Sequence, residues 1–132
     1  MEAMIDKILS ESKTVAVVGI SDKPDRPSHV VARYLQEKGY RVIPVNPLLS
    51  EVLGEKAFKS LSDIPGKVDL VDVFRKSGDV LPVAEEAVRA GAKFFWMQEG
   101  VTSEAARDLL TRAGIAVVMD RCVKKELAKR GR

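Results

Sequence analysis

The chain has 132 residues, 22 Lys and Arg against 19 Asp and Glu, one His and one Cys, for a net charge of +3. That length fits one domain with an ordinary core, and 45% apolar residues with few aromatics predict a core of Val, Ile, Leu and Ala. A single cysteine excludes an internal disulfide framework and a cysteine-rich zinc site, and the apolar runs are too short to span a membrane.

No signal peptide opens the sequence, so the expected location is cytoplasmic. Near the start, Met4, Ile5, Ile8 and Leu9 recur at helical spacing and predict a short docking helix. Residues 14–18 form a β-branched run that stops at Gly19. A polar loop follows, and Ser28 reads as a helix N-cap with Pro27 setting the chain direction. Val30, Val31, Tyr34 and Leu35 line one helix face before Gly39 ends it. Residues 41–45 read as the second strand, with Pro44 expected at its end or at a bulge because proline cannot donate to a ladder.

Asn46-Pro47 opens a loop through Gly54, residues 56–58 add a short extended piece, and residues 61–65 read as a helical turn. The third strand is expected at 68–73, with its exit at 74–78. Asp79 then caps a helix with Val83, Ala84, Ala87 and Val88 inward, and Gly91 stops it. The fourth strand is expected at 93–97, leading to Gln98-Glu99-Gly100. Thr102 or Ser103 caps the next helix, which carries Ala106, Leu109, Leu110 and Ala113 inward and stops at Gly114. A fifth strand at 115–119 precedes Asp120 and a basic helix. Residues 121–132 hold six Lys and Arg against one Glu. With no stacking aromatics beside it, this segment reads as a solvated terminal helix rather than a nucleic-acid contact.

Strand–helix alternation with glycine stops predicts an α/β, three-layer, Rossmann-like doubly wound fold. The expected sheet is five-stranded and mainly parallel, in the order 3-2-1-4-5. Ligands of such sheets lie across the C-terminal ends of the strands. The dinucleotide fingerprint fails here: Ser21 and Pro24 stand near the positions of two glycines, and Asn46 stands where an acid would meet a ribose hydroxyl. A phosphate site remains, with the Gly19 turn and donors Ser21, Lys23, Arg26 and Ser28. Phe74 is placed to cover a purine face with Arg75 beside it, and Gly100 allows close backbone approach.

No catalytic constellation and no metal-ligand set appears. His29 reads as a helix-surface residue beside the phosphate loop, without metal partners or an orienting group. Cys122 reads as a small packed residue; the sharper alternative is a thiol that forms a mixed disulfide with a ligand thiol. Asp72 lies one or two residues short of the exposed strand end, which weakens a phosphoacceptor reading.

Taken together, Val17-Val-Gly-Ile-Ser21 with Pro24, Arg26 and Ser28, the run 39–47, Asp72-Val-Phe-Arg75, Trp96-Met-Gln-Glu-Gly100 and Asp120-Arg-Cys122 form a recognisable set. The set resembles the small bacterial and archaeal CoA-binding proteins, which are similar to the N-terminal domain of the succinyl-CoA synthetase α-subunit. The resemblance covers residues 10–125 and implies coenzyme A as the ligand. It assigns CoA contacts to Ile20, Ser21, Asp22 and Lys23, to Asn46 and Pro47, to Phe74 and Arg75, and to Met97, Gln98 and Glu99. One departure is that Leu48 and Leu49 stand where the synthetase carries a lysine; Lys23 or Arg26 is the candidate replacement. The synthetase's phosphohistidine lies in a later domain that this sequence does not include.

The expectation is therefore one CoA-binding domain over 1–132. It binds CoA or acyl-CoA without catalysis, as a carrier, sensor or regulatory module, with no role for nucleic acid or membrane. One alternative is an NAD(P)-binding redox sensor or oxidoreductase on the same fold. Another is a partner-binding subunit whose basic C-terminal helix docks elsewhere and whose crevice is vestigial.

Overall fold

Thr14–Val18 is apolar almost throughout because it is an interior strand of a sheet covered on both faces, and it forms β1. The structure, a computed structural model, describes residues 1–131. Before β1 lies helix α1 (Glu2–Glu11); after it come α2 (Pro27–Glu37) and β2 (Arg41–Val45). A small antiparallel hairpin, β3 (Glu51–Val52) and β4 (Glu55–Lys56), and a 3-10 turn at Leu61–Asp63 lead into β5 (Leu70–Val73). Then follow α3 (Val80–Ala90), β6 (Phe94–Met97), α4 (Glu104–Arg112), β7 (Ala116–Val118) and α5 (Val123–Lys129).

The main sheet is five-stranded and parallel, in the order β2-β1-β5-β6-β7. Outside β2, Phe58 makes a single parallel bridge to Val45. Counting that bridge as the third extended piece gives six pieces in the order 3-2-1-4-5-6, a winding of the expected 3-2-1-4-5 type. Its third place has shrunk to one residue, and the strand expected at 68–73 takes the fourth place beside β1 as β5.

Alternation of side chains divides the core into two layers. Ala16, Val71 and Phe95 face α3 and α4, meeting Val83, Ala87 and Leu110. Val15, Leu70 and Trp96 face the other way, against Ile5 and Ile8 of α1, Val31 and Leu35 of α2, and Leu127 of α5. Each large side chain fully buried in these layers contributes on the order of 2 kcal/mol to stability.

Asp72 interrupts the second layer. It lies between Val17 and Trp96 in register, is fully buried, and neither carboxylate oxygen has a hydrogen-bond partner. Burial there pushes its carboxyl well above its ordinary value of 3.8.

Three local expectations are corrected. Pro44 sits inside β2, at neither an end nor a bulge. Arg41 donates inward to Lys13 O, and Val45 O accepts inward from Gly19, whereas Pro44 O accepts from Phe58 on the outer edge. The missing proline N–H therefore belongs to the outer row, where β1 needs no donor. The α2 N-cap is Arg26 rather than Ser28, because Pro27 has the φ suited to the first helical position. The basic C-terminal segment is also not simply solvated. Arg130 pairs with Asp6, Glu2 and Glu126, and Arg121 reaches Glu2 and Glu126, tying α5 to α1. Arg132 of that segment lies outside the described residues. At the start of α4, Ser103 is the cap, its Oγ accepting from Ala106 N.

Candidate functional site

Parallel strands bring their C-terminal ends to one rim, and the loops there are fastened by side chains bonded to backbone. The first loop turns at Gly19, whose φ is +88°, a conformation that L side chains rarely adopt. A Cβ at Gly19 would lie 2.1 Å from Phe74 O, so only glycine lets the β1 and β5 exits pass this closely. Asn46 Nδ2 donates to Ile20 O at 2.8 Å, and Asn46 Oδ1 accepts from Leu48 N at 2.8 Å. From the first turn of α2, Ser28 Oγ accepts from Ser21 N and His29 Nδ1 donates to Ser21 O, each at 2.9 Å. Lys23 N donates to Ser21 Oγ at 3.1 Å.

The other exits are strapped in the same way. Ser77 Oγ accepts from Thr102 N at 2.9 Å, linking the exits of β5 and β6. Gly100 N donates to Asp120 Oδ1 at 2.6 Å, and Asp120 itself has a φ of 58°. Gln98 Oε1 accepts from Val123 N at the head of α5, and Trp96 Nε1 donates to Arg121 O at 2.7 Å. At the outer rim Lys125 pairs with Glu99 at 3.0 Å, and that hydrogen bond and charge hold the lysine above its ordinary value.

Two hollows open on this rim. The first, about 390 Å³, is lined by Gly19, Ser21, Lys23, Arg26, Pro27, Ser28 and Phe74. The second, about 490 Å³, is lined by Pro27, Val31, Phe74, Arg75, Lys76, Gln98, Glu99, Val101 and Cys122. Pro27 and Phe74 belong to both, so the hollows adjoin. The first offers cations and hydroxyls; the second offers apolar walls with an amide, a half-buried thiol and the charged Arg75, Lys76 and Glu99. A separate hollow of about 380 Å³, lined by Leu9, Ser12, Lys13, Lys38 and Tyr40 among others, lies away from the rim, where β1 and β2 begin.

Most of the residues singled out in the sequence meet here. Gly19, Ser21, Lys23, Arg26, Ser28 and Phe74 stand round the first hollow, and Phe74, Arg75, Gln98 and Glu99 round the second. Ile20 and Met97 are fully buried and can offer a ligand only backbone groups. Asp22 and Pro47 are exposed and lie off both walls, and Asn46 has both ends of its side chain engaged with backbone. His29 is a correction: it is 7% exposed and faces the loop rather than solvent. Its role, and those of Ser77 and Asp120, escaped the sequence because the bonds join residues without periodic spacing. Among the described residues no group of three or more His, Cys, Asp or Glu could hold a metal ion, and no helix is long and apolar enough to cross a membrane.

A family model described as "CoA binding domain" matches residues 13–128. The uncharacterized protein YneT of Bacillus subtilis (strain 168) is 48% identical over 123 residues, covering 93% of this chain and 91% of that protein. An ADP-forming acetate–CoA ligase of Methanocaldococcus jannaschii is 29% identical over 87 residues, 66% of this chain but 12% of the ligase. Among solved structures, a hypothetical protein from Pyrococcus horikoshii OT3 superposes with a TM-score of 0.94 at 39% identity, covering 98% of this chain and 91% of that one.

Proposed function

The chain belongs to the CoA binding domain family, and on that premise we propose that it binds coenzyme A or acyl-CoA across its strand C-terminal ends without catalysis, as a carrier, sensor or regulatory module. The observation that carries this reading is the adjacency of the two hollows across Pro27 and Phe74. CoA joins a phosphorylated nucleotide to an uncharged arm ending in a thiol, and the rim supplies a hollow with Lys23 and Arg26 beside one whose walls include Val31, Phe74 and Val101. Lys23, Arg26 and the Ser28 hydroxyl suit the phosphates. Phe74 suits the adenine face, and Arg75 stands next to it. The hollow of Val31, Val101 and Gln98 suits the arm, with Cys122 on its wall. The ADP-forming ligases among the relatives are named for chemistry on CoA, which agrees with the ligand proposed here.

Two rival readings are less well supported. An NAD site would want an acid at the β2 exit, whereas Asn46 is there and is bonded to Ile20 O and Leu48 N. A partner-docking basic helix would want open cations, whereas Arg121 and Arg130 are paired within the chain. Calorimetric titration with CoA, acetyl-CoA and NAD tests the proposal. CoA or acetyl-CoA is expected to bind in preference to NAD, and Arg26→Ala to weaken CoA binding by about 1 to 3 kcal/mol. Preference for NAD, or no CoA binding at millimolar ligand, overturns it.

A further inference from the structure

The first turn of α2 grips the backbone on both sides of Ser21. Ser28 Oγ accepts from Ser21 N at 2.9 Å, and His29 Nδ1 lies 2.9 Å from Ser21 O. A carbonyl oxygen only accepts, so Nδ1 carries the proton. The ring is held among its neighbours at 7% exposure.

A trans peptide is planar, and its C=O and N–H point in opposite directions. With Ser21 O drawn toward α2, the N–H of the same peptide unit, that of Asp22, is turned away from the helix. The Asp22 N–H makes no hydrogen bond among the described residues. If the carbonyl were released, the unit could rotate and turn an oxygen outward, which repels an anion where an N–H attracts one.

We propose that His29 is the positioning residue of the β1–α2 loop: by fixing the Ser21 carbonyl inward, it makes the loop present the Asp22 N–H, beside the first hollow between its wall residues Ser21 and Lys23, to an anionic phosphate group of the ligand. This rests on the CoA reading for the identity of the ligand, but the orientation of the loop peptide can be read separately.

The test separates the hydrogen bond from mere space filling. An asparagine places its amide nitrogen as far from Cβ as Nδ1 is, whereas glutamine extends one bond further, toward the place of Nε2. His29→Asn is therefore expected to keep CoA affinity close to that of the unaltered chain. His29→Gln and His29→Leu are each expected to lose about tenfold, the equivalent of one hydrogen bond. In parallel, the Asp22 amide is followed by NMR while inorganic pyrophosphate is added; its resonance is expected to move in the unaltered chain and to stay still in His29→Leu. Equal CoA affinity for His29→Leu and the unaltered chain overturns the inference, as does an Asp22 amide that pyrophosphate never moves. An equal loss in all three variants, following their melting temperatures, also overturns it. Absence of CoA binding alongside an Asp22 amide that still responds to pyrophosphate overturns the CoA reading and leaves the role of His29 supported.

Discussion

The rim of strand exits and the seam between α1 and α5 are fastened by different physics. At the rim, Asn46, Ser28, His29, Ser77, Gln98 and Trp96 bond to backbone groups, joined by the one carboxylate of Asp120. At the seam, Arg130 and Arg121 are held by Glu126, Glu2 and Asp6 above an apolar contact. Neutral side chain-to-backbone bonds are directional and fix which way a peptide points. Ion pairs attract over longer distances with less angular demand, and they yield to salt and pH. The rim is built for orientation, the seam for adhesion.

The sharpest way to break the rim is Gly19→Ala. The new Cβ would need to displace Phe74 O from 2.1 Å in a left-handed backbone. A loss of about 3 kcal/mol or more in denaturant unfolding is expected, together with loss of CoA binding.

Two carboxyl groups separate the sheet interior from the seam by pH. Burial makes Asp72 harder to ionise in the folded chain than in the unfolded one. Its contribution is therefore complete below 3.8 and is lost as pH rises from there toward its folded value. Replacing it by Asn should remove a slope of up to about 1.4 kcal/mol per pH unit, read as a difference in unfolding free energy between the two proteins across that range.

Glu126 behaves oppositely. Burial alone would raise its carboxyl, but hydrogen bonds from Arg130 and Lys129 and the nearby charges of Lys129 and Arg121 outweigh burial and hold it below 4.5. Its contribution is present above 4.5 and fades as pH falls through the folded value. Glu126→Gln should cost about 1 to 2 kcal/mol at neutral pH, with the gap closing in acid. The smallest effect is expected at Lys125, fully exposed and paired with Glu99. Lys125→Ala should leave the melting temperature unchanged, and a clear drop would show that ion pairs matter at the rim as well.

Strand and helix positions were legible in the sequence because they rest on local signals. The run at 14–18, the glycine stops and the inward Val83, Ala84 and Ala87 all declare themselves by spacing. What escaped was partnership between distant residues. Arg121 and Arg130 look solvated until α1 supplies Glu2 and Asp6 more than a hundred residues away. His29 looks like a surface residue because helical spacing says nothing about a loop carbonyl eight positions earlier. Ser28 and Pro27 competed for the start of α2, and fixed φ at proline prevailed. The shrinkage of the third extended piece to Phe58 was illegible for a similar reason: a single bridge has no periodicity.

The outer margin of β2 carries one more consequence. A bare strand edge invites a stray extended segment from another molecule to add itself and begin a growing stack. Here Pro44 leaves a gap in the row of donors, while Phe58 occupies Pro44 O and the Asn46 N–H. A newcomer finds no continuous template, so this side of the sheet is guarded against fibril-like growth by one imino acid and one phenylalanine.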